Sequence, residues 1–184
     1  MKRVQREELV DYQTYQEGRS ASRQKAMADK AVRRIHVGPM LTFLFENADT
    51  VRYQIQEMML AERLVKEADI RHELETYNEL LGGPGELGAS LLIEIEDPAE
   101  RDQKLRALLG LPEHLYAKFE DGTRVRPRFD ARQVGDERLS SVHYLVFPTG
   151  GRVPVALGAD HPALKIEAAL TPEARAALAR DLSN

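Results

Sequence analysis

The spacing of apolar residues changes several times along the chain, and each change predicts a new element. Apolar residues three or four positions apart predict helices over residues 5–33, 49–66, 68–82, 97–110 and 171–182. Alternating or continuous apolar runs predict strands over residues 34–37, 40–46, 89–96, 142–147, 152–157 and 163–170. Because most strands are joined by short links, this order favours an α+β fold. We expect a mainly antiparallel sheet with an N-terminal helical region, a central helix pair and a C-terminal helix.

Turn and capping residues mark several boundaries between these elements. Asn47 is suited to cap the central helix, and Asp97, followed by a proline, is suited to cap the helix over 97–110. Gly38–Pro39 predicts a tight turn that joins the strands at 34–37 and 40–46. Asp121–Gly122 is typical of a tight turn and predicts a further hairpin. The polar segment 131–140 is the least suited to regular structure. With 184 residues, the chain is interpreted as one α+β domain over 1–184, in which residues 1–33 can form a helical N-terminal appendage.

The composition limits the chemical groups that the protein can use and indicates its cellular compartment. The chain contains no cysteine, which excludes disulfides, thiolate metal sites and thiol nucleophiles. No run approaches the ~20 apolar residues that cross a bilayer, and the N-terminus lacks the apolar core of a signal peptide. The sequence therefore predicts a soluble, cytoplasmic protein.

The net charge of −4 is divided unevenly along the chain. Residues 1–45 contain nine Lys or Arg against five Asp or Glu, whereas residues 46–100 contain four against fourteen. Such a split is typical of an interface, of an internal match between two segments, or of solvated helix faces. The acidic balance, without a basic stripe interleaved with aromatic residues, argues against nucleic-acid binding.

One carboxylate, Glu62, falls in the middle of an apolar stripe on the predicted helix 49–66. The stripe consists of Val51, Ile55, Met58 and Val65. Because a buried, unpaired carboxylate costs several kcal/mol or has a raised pKa, Glu62 is expected to have a partner or to line a wet cavity. A structural role predicts a contact with Arg33, Arg34 or Arg52, whereas a functional role predicts a metal ligand, a general base or an anchor for a polar ligand.

If the role is functional, a polar pocket should surround the central helix, with Glu62 at its core. The candidate neighbours are Arg52, Tyr53, Gln54, Gln56, Glu57 and His36. Metal binding has weaker support, because Asp69 and His72 are three residues apart but no Glu-x-x-His motif complements them. The other histidines, at 114, 143 and 161, are interpreted as surface or turn residues.

A long central stretch carries a family resemblance. The segment HVGPMLTFLFENADTVRYQIQEMMLAERLVKEADIRHELETYNELLGGPGELGASLLIEIED, together with ALGADHPALKIEAALTPEARAALARDL, resembles the bacterial domain-of-unknown-function family 3501. The resemblance implies no chemistry and no catalytic residues. It does imply an association with redox or peroxide-stress systems, since genes of that family often lie near those for rubrerythrin and an iron–sulfur oxidoreductase.

Two functional hypotheses follow from the residues and the resemblance. The first is a non-enzymatic accessory or binding protein that docks rubrerythrin or the iron–sulfur oxidoreductase, through the acidic helix pair or the basic N-terminal segment. The second is a metal-binding protein or enzyme with a polar pocket around residues 49–66. A homo-oligomer is a third possibility if a large apolar patch is exposed.

Overall fold

The computed structural model describes residues 2–130 and 135–183, which contain six α-helices and two four-stranded sheets. The helices are α1 (Tyr12–Ala31), α2 (Ala48–Ala61), α3 (Glu67–Asn78), α4 (Pro98–Ala107), α5 (Leu111–His114) and α6 (Pro172–Ser183). The strands are β1 (Arg34–Val37), β2 (Leu41–Phe45), β3 (Leu87–Ile93), β4 (Leu115–Lys118), β5 (Arg124–Val125), β6 (Val142–Phe147), β7 (Ala156–His161) and β8 (Leu164–Ala169). The α+β prediction is confirmed.

The strands form two antiparallel sheets rather than the single sheet expected from the sequence. Sheet A has the order β1-β2-β3-β6, and sheet B has the order β5-β4-β7-β8. The predicted hairpins between β1 and β2, and between β4 and β5, are both present. The division arises because β3 pairs with both β2 and β6, while β4 pairs with β7. These pairings join strands that are distant in the sequence.

The main hydrophobic core lies between the inner faces of the two sheets and is closed by α4 and α6. On β3, Ala89, Leu91 and Ile93 face this core, as their alternation predicted. Phe147 on β6 is fully buried there, with ring centroids 6.3 Å from Phe43 and 6.0 Å from Phe45. Such tilted aromatic pairs add to the stability gained from apolar burial.

A second, smaller core joins the N-terminal segment to α2 and α3. Its buried members are Val4, Leu9, Val51, Ile55, Met59, Ile70 and Leu81. The helix predicted over 5–33 begins only at Tyr12, where Asp11 caps it, and then continues through Gly18. Residues 2–11 contain no helix or strand apart from one 3₁₀ turn, Arg6–Glu8. Whether residues 1–33 form an appendage stays a prediction.

Two buried amide side chains hold the N-terminal segment against the helices. Asn78 accepts a hydrogen bond from the Val4 N–H (2.9 Å) and donates one to the Val4 carbonyl (3.0 Å). Gln56 makes the same pair of bonds with Val10, at 2.8 and 3.0 Å. Each amide therefore satisfies two backbone groups that would otherwise be unpaired.

None of the helices within the described ranges is long and apolar enough to cross a bilayer. Of the polar segment predicted at 131–140, residues 131–134 lie outside the described residues, and 135–140 contain neither helix nor strand.

Candidate functional site

Glu62 does not lie in a buried stripe, and this prediction is wrong. Helix α2 ends at Ala61, so Glu62 is its C-cap residue and its side chain is exposed. The next residue, Arg63, has a left-handed φ of 51°, which turns the chain away from the helix axis. Val65, assigned to the same stripe, is consequently 75% exposed.

Two of the three arginines predicted to pair with Glu62, Arg33 and Arg52, have other partners. The Arg33 guanidinium donates to both carboxylate oxygens of Asp181, at 2.8 and 2.9 Å, in a pair whose side chains are each 5% exposed. Arg52 pairs with Asp49, and its guanidinium lies 3.5 Å from Glu8. Arg33 thus takes its carboxylate partner from α6, whereas Arg52 pairs within α2 and lies close to a carboxylate of the N-terminal segment.

Three of the predicted pocket residues line one small cavity. Arg52, Tyr53 and Gln56 face a space of about 220 Å³ between α1, α2 and the N-terminal segment. The Arg52 guanidinium is paired, and the Gln56 amide bonds the Val10 backbone. Glu62, the predicted centre of the pocket, does not line this cavity, and the Arg52 and Gln56 side chains already stabilise the fold.

Glu57 and Gln54 lie on α2 but do not line that cavity. Glu57 accepts hydrogen bonds from the Tyr15 hydroxyl (2.7 Å) and from Arg19 (2.9 and 2.7 Å), which lower the pKa of its carboxyl group. These bonds connect α1 to α2. Gln54 is half-buried, and its carbonyl oxygen has no hydrogen-bond partner among the described residues.

His36 belongs to a separate hydrogen-bonded relay across three strands of sheet A. Its Nδ1 lies 2.9 Å from the Thr42 hydroxyl, which donates its only proton to Glu94. Because Thr42 can then only accept from His36, the proton of a neutral imidazole lies on Nδ1 and Nε2 carries a lone pair. The imidazole is exposed, while Thr42 is 1% exposed.

Sequence reasoning missed a buried carboxyl group, Glu46, at the end of β2. Glu46 is 1% exposed and accepts hydrogen bonds from the hydroxyls of Thr50 (2.6 Å) and Ser90 (3.4 Å). Burial raises the pKa of Glu46, although these bonds and nearby Lys30 oppose the shift. A charged residue ending an apolar strand just before a helix cap was the available signal.

His143 and His161 are buried, which corrects their interpretation as surface or turn residues. His143 faces the main core, with Nε2 2.9 Å from the Ser140 carbonyl, and burial lowers the pKa of its imidazole. His161 ends β7, and its Nε2 lies 2.9 Å from the Leu109 carbonyl.

A larger groove of about 470 Å³, here called the α3–β6 groove, lies between α3 and the outer face of β6. Aromatic and acidic side chains line it, among them Tyr77, Tyr144, Glu73 and Glu79. Gly88 on β3 permits this arrangement, because any side chain there would overlap the carbonyl oxygen of Leu80 just beyond α3.

The side chains that line the α3–β6 groove carry more negative than positive charge. Its one arginine within the described lining, Arg128, is engaged by Glu86 through bonds of 2.7 and 2.9 Å. Glu73 and Glu79 form no ion pair within the parts of the chain that the structure describes. Burial, followed by the charge of Glu73, raises the pKa of the Tyr77 hydroxyl.

Within residues 2–130 and 135–183, no group of three or more His, Asp or Glu side chains is arranged to hold a metal ion. The two concave surfaces described above are an acidic, partly aromatic groove beside α3 and a small polar cavity beside α2, and ligands bind preferentially in such concave sites.

The fold defines the class of the protein. It is an α+β protein in which two antiparallel sheets enclose the main core and a layer of helices covers sheet A. More particularly, the chain belongs to the family described as Protein of unknown function (DUF3501), whose model matches residues 3–182. This confirms the resemblance found in the sequence.

A solved structure supports the same assignment. The chain is similar to a crystal structure of a protein of unknown function from Burkholderia pseudomallei K96243, with 31% sequence identity and a TM-score of 0.89. The match covers 98% of this chain and 100% of that one. No curated protein matches the chain.

Proposed function

We propose that the protein is a non-enzymatic binding protein that holds a basic partner in the α3–β6 groove. The observation that carries this proposal is the pair of carboxylates, Glu73 and Glu79, that line a partly apolar groove without an ion pair in the described chain. Carboxylates beside apolar surface are the groups that a cationic partner would neutralise.

The neighbouring surface has the composition of an interface. Val142 and Tyr144 on β6 are 39% and 46% exposed, although large hydrophobic residues are more often buried. Tyrosine is enriched at protein interfaces, where its ring is covered and its hydroxyl finds a polar contact. Exposed apolar residues beside acidic ones thus favour a protein partner.

The acidic charge extends beyond the groove along the exposed side of α3. Asp69 is exposed in the first turn of this helix, whereas Glu67 in the same turn is already paired with Arg6 and Arg71. Such a field speeds association with a basic partner and makes the association sensitive to salt.

Candidate partners come from the family resemblance, which links the protein to redox or peroxide-stress systems. Rubrerythrin and the iron–sulfur oxidoreductase are the first proteins to test. The small cavity beside Arg52 and Gln56 is a weaker candidate site, because those polar groups already make hydrogen bonds or ion pairs within the chain.

The test is isothermal titration of each purified candidate into the protein at low and high salt. We expect binding at low salt that weakens at high salt and weakens further in the double variant Glu73→Gln/Glu79→Gln. Glu75→Gln, on the same helix but outside the groove lining, is the matched control. Binding that the double variant leaves unchanged would contradict the proposal, as would self-association through this groove alone.

A further inference from the structure

We infer that the α3–β6 groove recognises an arginine side chain of its partner, with the guanidinium stacked on Tyr77 and paired with Glu73. This inference rests on the proposed function and specifies the group that is bound. Elsewhere in the protein, arginine side chains stack on aromatic rings that lie beside carboxylates.

Sheet B contains an internal version of this arrangement. The Tyr116 hydroxyl donates to Glu167 at 2.9 Å, and the Arg124 guanidinium carbon lies 4.0 Å from the Tyr116 ring centroid. Arg124 also reaches the Glu167 carboxylate at 3.6 Å. One guanidinium therefore stacks on a tyrosine and pairs with the adjacent carboxylate.

The turn between β4 and β5 repeats the pattern. The Arg152 guanidinium carbon lies 4.0 Å from the centroid of Phe119, and the same side chain pairs with Asp121 at 2.8 Å. In two places, then, an aromatic ring with a nearby carboxylate is covered by an arginine from this chain.

The groove contains the aromatic ring and the carboxylate of this pattern. Glu73 and Tyr77 are four residues apart on α3, so their side chains share one face of the helix. Both side chains line the groove, and after burial the charge of Glu73 is the next cause that raises the pKa of the Tyr77 hydroxyl. None of the cation–π contacts among the described residues involves Tyr77.

Arginine fits the groove better than lysine for two reasons. Its planar guanidinium stacks on an aromatic face and pairs with a carboxylate at the same time, whereas an ammonium is a point charge. The groove volume of about 470 Å³ also leaves room for the methylene stem, which can pack against Leu80 and Val146.

The test uses three peptides and nuclear magnetic resonance. N-acetyl-Ala-Arg-Ala-amide is titrated into ¹⁵N-labelled protein, and the same peptide with citrulline, which is neutral and nearly isosteric, is the matched control. A third peptide carries lysine. We expect the arginine peptide to shift the amides of residues 73–80 and 144–146, with at least about tenfold weaker binding for citrulline and weaker binding for lysine.

Variants separate specific pairing from general attraction to an acidic surface. Glu73→Gln should reduce affinity for the arginine peptide to the level of citrulline, whereas Glu75→Gln should leave it almost unchanged. Equal shifts from the arginine and citrulline peptides, or no shifts in the groove, would overturn the inference. If a partner protein binds through the groove while the arginine peptide does not, the inference fails and the proposed function stands.

Discussion

Replacing Arg33 with Met tests how much the buried Arg33–Asp181 ion pair, which joins the start of β1 to α6, contributes to stability. Arg33 donates two hydrogen bonds to Asp181 across 148 positions of sequence, and a third to the Asp29 carbonyl at 2.9 Å. Both side chains of the ion pair are 5% exposed. Because the variant leaves Asp181 as a buried charge without its cation, we expect unfolding free energy to fall by about 3–5 kcal/mol.

The assay is urea unfolding followed by circular dichroism, supported by thermal unfolding. For a chain of this size each kcal/mol corresponds to roughly 2–4 °C, so the melting temperature should fall by roughly 6–20 °C. The double variant Arg33→Met/Asp181→Leu removes both charges and should recover most of the loss. A loss below about 1 kcal/mol in the single variant, or a double variant no more stable than the single one, would refute the reasoning.

Three further predictions concern other polar groups. Asn78→Ala should cost about 2 kcal/mol, because it leaves the Val4 N–H and carbonyl unpaired, and should speed hydrogen exchange over residues 4–10; unchanged exchange would contradict this. Since burial raises the pKa of Glu46 above its ordinary 4.5, the folded state holds this proton more tightly. Stability is therefore lost as pH rises from that value through the raised pKa. Glu46→Gln should remove this part of the pH dependence in urea titrations, and identical profiles would count against it. For His36, ¹⁵N spectra at alkaline pH should show a protonated Nδ1, and Thr42→Val should release this tautomer preference; a protonated Nε2 would exclude the relay.

Local signals in the sequence were enough to locate most elements. Asp97 and the following proline predicted the start of α4, and Asp97 indeed caps that helix. The turn at Gly38–Pro39 predicted the β1–β2 hairpin, because glycine adopts the φ of 66° found there. Each of these features depends on a few adjacent residues.

The error over Glu62 has a physical cause. Projecting residues 49–66 on one helical wheel assumed that the helix continues past Ala61, but Arg63 leaves it in a left-handed conformation. The Leu64 N–H then bonds the Met59 carbonyl at 2.9 Å and closes the helix end. No glycine marks this stop, so the residue pattern did not predict the end of the helix at Ala61.

The groove depends on tertiary pairing and could not be predicted. Glu73 and Tyr144 line the same groove only because β6 pairs with β3 and α3 lies beside it. Arg52, Tyr53 and Gln56 line the small cavity and lie within two turns of one helix, whereas Glu62 lies outside the cavity. Spacing within one helix is visible in a sequence, whereas strand order is not.

The most direct test of the account is chemical-shift mapping of a bound partner protein on the ¹⁵N-labelled chain. We expect the largest chemical-shift changes at the amides of Tyr77, Leu80 and Tyr144 in the α3–β6 groove, and we expect these changes to become smaller as salt is added. Shifts that cluster instead beside Arg52 and Tyr53, with the groove amides unmoved, would contradict it.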